Sequence, residues 1–300
     1  MSISDIWLFI QQGVLSGLVT GSVYALLAVA IVMVFKTTDV PNFSQGEIFM
    51  SAGYVALFLL VVWNWPYWAA ALLAIVVTAL LAALFQHVVM QRVTASRGAG
   101  VQMVIATLGF AYVLKGLVRK TGLGDTPRSL PSLVPQDPIT IGQAVLTLLD
   151  LAILGAAVVV MLLLWLMFTH TRTGQAMRAV GMNSRGAQIV GIQLSSIRMQ
   201  VWALAGVVSA ISALLITPKI LITPDIGHLA ILAFAAAIIG GFSSLPGAVV
   251  GGFIIGIVEN LVGLFISSNA IVVAPFMAIM VVLLARPQGL FGGKLQVKKV

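Results

Sequence analysis

Long apolar runs separated by short polar ones dominate this chain. Nine stand out, at about 6–35, 45–63, 67–90, 101–118, 144–169, 199–216, 229–242, 248–266 and 270–285. No Asp, Glu, Lys or Arg occurs in 6–35, 48–91, 151–171, 199–218, 226–258 or 260–285. A bilayer-crossing helix needs about 20 apolar residues. The pattern therefore predicts an all-α fold: a polytopic membrane bundle of about eight to nine transmembrane segments, some broken or re-entrant. The first run is long enough for a short leading helix or a strong tilt. The seventh is too short to cross alone, and Gly240-Gly241 followed by Ser243–Gly247 marks a break. Barrel strands alternate over short segments, so continuous runs of this length argue against a β-barrel.

Composition agrees. Of the 300 residues, 60% are hydrophobic and 8% charged, against roughly 25% charged in soluble domains. Mean hydropathy is +1.12. The excess of 16 basic over 8 acidic residues forms no basic patch, so nucleic acid is not an expected partner; the lipid bilayer is. There are no cysteines, which removes disulfides and thiolate metal sites. No Lys or Arg precedes Lys36, so the basic start of a cleavable signal is missing and the first run is expected to persist.

Basic residues set the orientation. If the Arg-rich segment 170–198 is cytoplasmic and each run crosses once, Lys36, Arg92, Arg97, Arg172, Arg178, Arg185, Arg198, Arg286, Lys294, Lys298 and Lys299 fall inside. Lys115, Arg119, Lys120, Arg128 and Lys219 fall outside. The majority rule then places the N-terminus outside and the C-terminus inside. Residues 119–142 carry Pro127, Pro131, Pro135 and Pro138 and are expected to form an external loop, since proline interrupts a helix. Residues 170–198 carry no proline and read as two short cytoplasmic helices. The whole chain, 1–300, is expected to form one transmembrane domain.

Small and polar residues inside the runs come next. Gly13, Gly17 and Gly21 recur every four residues, as do Gly247/Gly251 and Gly252/Gly256; such spacing lets helices approach closely in lipid. Glu259 shares a helical face with Gly252, Gly256 and Gly263, so it points along a packed stripe, with Asn260 beside it. An intramembrane acid costs roughly 3 kcal/mol on insertion scales. It serves either an interhelical hydrogen bond or a polar pathway. Ser16, Thr20 and Tyr24 form one polar stripe, and Glu47, Ser51 and Tyr54 another. Between the first two runs, Pro41–Glu47 holds four polar side chains; Ser44-x-x-Glu47 has capping-box spacing. The alternative is a helix start within the membrane whose amides line a substrate path, with Ser244–Gly247 as a second such start. The candidate path residues are Thr20, Tyr24, Asn42, Ser44, Gln45, Glu47, Glu259 and Asn260.

Catalytic and energy-coupling motifs are missing. The chain has no GxxxxGK[ST] nucleotide loop and no GxSxG, and His87, His170 and His228 are scattered without HExxH spacing. No catalytic residue, metal site or cofactor is expected in this chain. Proton relays usually need several buried acids, and only Glu259 lies clearly inside a run.

Taken in order, these elements resemble the permease subunits of branched-chain amino acid ABC transporters, of the LivH type. Gly17–Leu26 is similar to the family's first-helix signature, and Asn42-Phe43-Ser44-Gln45-Gly46-Glu47 to its NFAHGE element with Ser and Gln in place of Ala and His. Gly240–Gly252 resembles its glycine-rich break, Glu259 the acid in the following helix, and Arg286–Gly292 its terminal motif. The resemblance implies a bacterial inner-membrane importer for leucine, isoleucine or valine. Other members take urea, amides, or aromatic or short aliphatic acids. The implied partners are a second related permease, two cytoplasmic ATPases that bind ATP and Mg, and an external substrate-binding protein. The implied ATPase-coupling element is Arg185–Ile192, with Arg178, Arg185, Gly186, Ala187 and Gly191 as its residues. Where the family commonly has Glu-Ala-Ala, this chain has Gly186-Ala187, so a docking position is implied without a specific ion pair. An ion-coupled carrier or channel, or a membrane-embedded enzyme, are the readings from other classes.

Overall fold

A computed structural model describes residues 3–94, 99–124, 126–142 and 144–292. Arg97, Lys294, Lys298 and Lys299, used above to set orientation, lie outside the described residues. The helices are α1 (Ile3–Thr38), α2 (Gln45–Val61), α3 (Tyr67–Phe85), α4 (Gln91–Thr94), α5 (Ala99–Lys120), α6 (Leu148–His170), α7 (Arg172–Met182), α8 (Ser184–Ile189), α9 (Leu194–Ile216), α10 (Leu229–Gly240), α11 (Leu245–Phe265) and α12 (Ala274–Ala285).

All nine apolar runs contain helix, but the expected eight to nine crossings are not matched by length. Among the described residues, six helices are long and apolar enough to cross a membrane: Asp5–Thr38, Tyr67–Thr94, Gly100–Lys120, Leu148–His170, Leu194–Ile216 and Leu245–Phe265. The other three have 17, 12 and 12 residues. At 1.5 Å per residue, twelve residues reach only about 18 Å, short of the roughly 30 Å hydrocarbon core. α10 ends at Gly240-Gly241, where Gly241 takes φ +96°. α12 is preceded by a 3-10 turn, Ser268–Val272. The first run lies within one helix, α1, of 36 residues.

The helical fold carries a short strand pair beside its helices. The segment between α5 and α6 holds an antiparallel hairpin, β1 (Pro138–Ile141) with β2 (Ala144–Thr147), pairing Ile139 with Leu146 and Thr140 with Val145. β-Branched residues favour strands, and Gly142 at φ +66° supplies the turn. The fifth run therefore begins as strand. It turns helical after Thr147, whose hydroxyl accepts from the Asp150 N–H at 3.2 Å while the Asp150 carboxylate accepts from the Thr147 N–H at 3.0 Å. That reciprocal pair is a capping box.

The chain divides into two compact units. One comprises Met1–Val32, Val134–Gly155 and Ile231–Val300; the other comprises Met33–Leu133 and Ala156–Ala230. In the first, α11 packs through glycine on two faces. A methyl group at Gly17 would lie 2.6 Å from the Ile257 Cα, one at Gly21 2.9 Å from the Gly252 carbonyl, and one at Gly256 would overlap Gly17 and Gly21. On its other face, Gly247 and Gly251 meet the backbone of Gly240 and Ala236 on α10. The Gln12 amide of α1 pairs with the Val145 backbone, donating to its carbonyl at 3.0 Å and accepting from its N–H at 2.9 Å.

In the second unit α3 and α9 meet at Gly206, where a methyl group would lie 2.8 Å from the Thr78 carbonyl. Phe85 stacks on Phe110 at 4.0 Å and tilts against the buried Trp202 at 5.5 Å. The proline-rich loop is tied down by a bridge between Arg128 and Ile222 and by the Leu130 N–H donating to the Thr217 carbonyl at 3.3 Å.

Candidate functional site

The candidate path residues fall into two sets, each inside one unit. On α1 and α11, close approach at the glycines brings opposing polar stripes into contact. The Asn260 amide donates to the Thr20 hydroxyl and to the Gly256 carbonyl, both at 2.9 Å. Tyr24, 5% exposed, hydrogen-bonds the Glu259 carboxyl. Helical side chains lean toward the N-terminus, so Tyr24 reaches back to the level of Thr20. The Thr20 hydroxyl also contacts the Ser16 carbonyl at 3.2 Å, and Ser16 accepts from Gln12 at 3.0 Å. Thr20, Tyr24, Glu259 and Asn260 thus form one cluster.

The second set surrounds the start of α2. Asn42 donates to the Gln45 side-chain oxygen at 2.8 Å, and its own oxygen accepts from the Ser44 hydroxyl at 2.6 Å and the Ser44 N–H at 3.0 Å. Gln45 donates to the Ser209 hydroxyl and to the Ala205 carbonyl of α9. Asn42, Ser44 and Gln45 are all fully buried. This corrects the capping-box expectation: Ser44 is the N-cap residue but makes no side-chain cap bond. Asn42 sits two residues before it and captures both Ser44 donors in a side-chain turn. Glu47 stays outside this network and is half-buried, its carboxylate beside Gly227. A methyl group at Gly46 would overlap the Gly227 carbonyl. The other proposed helix start does cap itself: the Ser244 hydroxyl accepts from the Gly247 N–H at 3.0 Å.

The 170–198 segment folds as the two expected helices, followed by α9, which begins inside it at Leu194. Thr171 caps α7 by accepting from Gly174 N–H at 3.0 Å, and Asn183 caps α8 by accepting from Gly186 N–H at 2.9 Å. Two residues past the end of α8, Gly191 takes φ +86°, and the Ile192 N–H returns to the Ala187 carbonyl at 2.9 Å. This left-handed closure is the glycine stop of many helices. Arg178 and Arg185 are exposed, Ala187 is buried and Gly186 is half-buried. Met182, Ile189 and Val190 are 82%, 87% and 75% exposed.

Sequence reasoning missed three participants. Ser209 lies 164 residues from Gln45 and reads as one more small residue in an apolar run. The exposed Ile189-Val190 pair carried no local signal, since other apolar residues such as Met177, Val180, Met182 and Ile192 stand in the same segment. Asp225, in the loop after α9, pairs with Lys115 at 2.5 Å and Arg119 at 3.6 Å. Its hydrogen bond to Lys115 holds the carboxyl below the usual range.

Spanning-length apolar helices, glycine-mediated packing and polar side chains buried on helix faces define a multi-pass helical membrane protein. A family model described as the permease component of branched-chain amino acid transport systems matches residues 13–285. The high-affinity branched-chain amino acid permease LivH of Salmonella typhimurium is 28% identical over 311 aligned residues, covering 99% of this chain and 100% of that one. BraD of Pseudomonas aeruginosa, named for the same transport system, is 28% identical, with 99% of each chain covered. A probable LivH of Methanocaldococcus jannaschii is 31% identical over 86% of this chain and 83% of its own. Among solved structures, PsaBC from Streptococcus pneumoniae in complex with Fab matches with a TM-score of 0.50 at 15% identity, covering 89% of this chain and 90% of that one; this likeness concerns the fold. The chain belongs to the family of branched-chain amino acid transport permease components.

Proposed function

We propose that this permease carries leucine, isoleucine or valine across the bacterial inner membrane together with a second, related permease. ATP hydrolysed on two cytoplasmic ATPases drives it, and an external binding protein delivers the substrate. The observation that carries the energetic part is the tip of the 170–198 segment. Large apolar side chains so exposed on a polar segment mark a contact surface. Here Met182, Ile189 and Val190 stand on two short capped helices flanked by the exposed Arg178 and Arg185. A capped, glycine-terminated tip is a rigid handle for an ATPase to push. Thr20, Tyr24, Glu259 and Asn260 in the first unit are assigned to substrate contact, and so, separately, is Glu47 in the second. Asn42, Ser44 and Gln45 hold the start of α2 in place beside Glu47.

Reconstitution tests this reading. The chain, purified with a related permease and two ATPases in liposomes, is expected to accumulate leucine only with ATP inside and a binding protein outside. Uphill uptake by the isolated chain would overturn it. Gly191→Pro is expected to abolish ATP-driven uptake while membrane insertion persists, because proline is fixed near φ −65° and has no N–H. Gly191 sits at +86° and donates to Gln188 at 3.0 Å. Normal uptake in that variant would remove 175–195 from the coupling role.

A further inference from the structure

The cytoplasmic segment touches the end of α1 in a way its docking role does not require. α7 lies so close to the last turn of α1 that a methyl group at Gly181 would sit 3.2 Å from the Lys36 carbonyl oxygen and 3.6 Å from the Lys36 Cβ. From the first turns of α9, the half-buried Arg198 Nε donates to the Thr37 carbonyl at 3.2 Å, across 161 residues of sequence. The last carbonyls of a helix lack intrahelical donors and form the negative end of its dipole, so a guanidinium there both caps and holds the helix. Beyond this point the chain turns sharply. Thr38 bonds the Val34 and Val40 carbonyls at 2.8 and 2.9 Å, and Asp39 adopts φ +57°, a conformation unusual for a residue with a side chain. Three residues later comes Asn42, the centre of the buried network that anchors α2 to Ser209.

From these contacts we infer that α7, the beginning of α9 and the last turn of α1 move as one body. Arg198 is the pin and Gly181 the bearing surface, and motion at the Met182–Val190 tip passes through Lys36–Asp39 into the Asn42–Gln45 elbow. Arg198 is thereby a positioning residue for transport. The inference rests on the tip being the ATPase contact.

The chain lacks cysteine, which makes the test clean. Lys36→Cys with Gly181→Cys places two thiols on Cβ positions 3.6 Å apart, within the roughly 3.5–4.5 Å of a disulfide. In the complete reconstituted transporter the pair is expected to close on oxidation and leave ATP-driven uptake unchanged, because the joined parts do not move against each other. Failure of the disulfide to form, or loss of uptake on oxidation that a reductant restores, would overturn the inference. In parallel, Arg198→Gln is expected to lower the solute moved per ATP about fivefold or more, at the small end of measured couplings between sites, while ATP hydrolysis continues. Arg198→Lys, which keeps a charged donor, should recover part of it. Uptake per ATP unchanged in Arg198→Gln, or hydrolysis and uptake falling in equal proportion, would also count against the pin. Absence of ATP-driven uptake in the unmodified transporter would instead sink the importer reading itself.

Discussion

Two buried contact regions solve the same problem in opposite ways. Where α1 meets α11, helices are joined by what is missing: Gly17, Gly21, Gly252 and Gly256 let backbone touch backbone. At the start of α2, the joint is made of side chains, with Asn42, Ser44, Gln45 and Ser209 satisfying one another. The first depends on fit over many weak contacts, since lipid supplies no hydrophobic drive between helices. The second depends on complete pairing, because a buried polar group without a partner is costly. Fit should fail steeply under added volume, and pairing should fail under lost chemistry.

Added volume is the harsher test. Gly256→Leu is expected to destabilise the detergent-solubilised protein by about 3 kcal/mol or more, as overpacking against backbone does, seen as loss of monodisperse protein and a fall in Tm. Gly109→Leu, at a position where an added Cβ meets nothing within 4 Å, should stay within about 0.5 kcal/mol of the parent. Equal effects at the two positions would break the comparison. Gln45→Leu keeps the volume but strands Ser209 and the Asn42 amide, at an expected cost of about 1–3 kcal/mol. Gln45→His, which retains a donor, should cost less in the same melting assay. Asn260→Ala removes one interhelical hydrogen bond, to Thr20, and one within its own helix, to Gly256; the interhelical loss should lower stability by only about 0.6 kcal/mol, the average for such bonds in membrane helices. The smallest effect belongs to Asp225. Its folded pKa is depressed, so its contribution is present at neutral pH and fades as pH falls through the lowered value, below the usual carboxylate range. For so exposed a pair the loss is about 0.2–1 kcal/mol, and Asp225→Asn should abolish the dependence in a pH series of melting curves.

The same contrast explains what could be read from the chain alone. The glycine seam was legible because its signal is local: spacings of four within each run state which face is small. Glu259, which shares a face with Gly252 and Gly256, is half-buried. The elbow at Asn42 was not legible, because Ser44-x-x-Glu47 satisfies a local rule that loses to a nearer competitor, Asn42, and to a partner in α9. A true capping box occurs instead at Thr147 and Asp150, masked in sequence by the apolar run it opens. The hairpin escaped notice because its second strand, Ala144–Thr147, merges with that run. The break that ends α10 was legible at Gly240-Gly241, whereas the length of α12 was overread, because apolar composition continues through a 3-10 turn that composition does not register.

The tip of the 170–198 segment has a consequence for the cell. On the function proposed above, a copy synthesised without companions would leave Met182, Ile189 and Val190 uncovered as a greasy knob, open to chaperones and membrane proteases. Supply of the other subunits would then set how many copies survive, and overproduction of this polypeptide by itself should yield short-lived protein whose half-life lengthens when its companions are made alongside it.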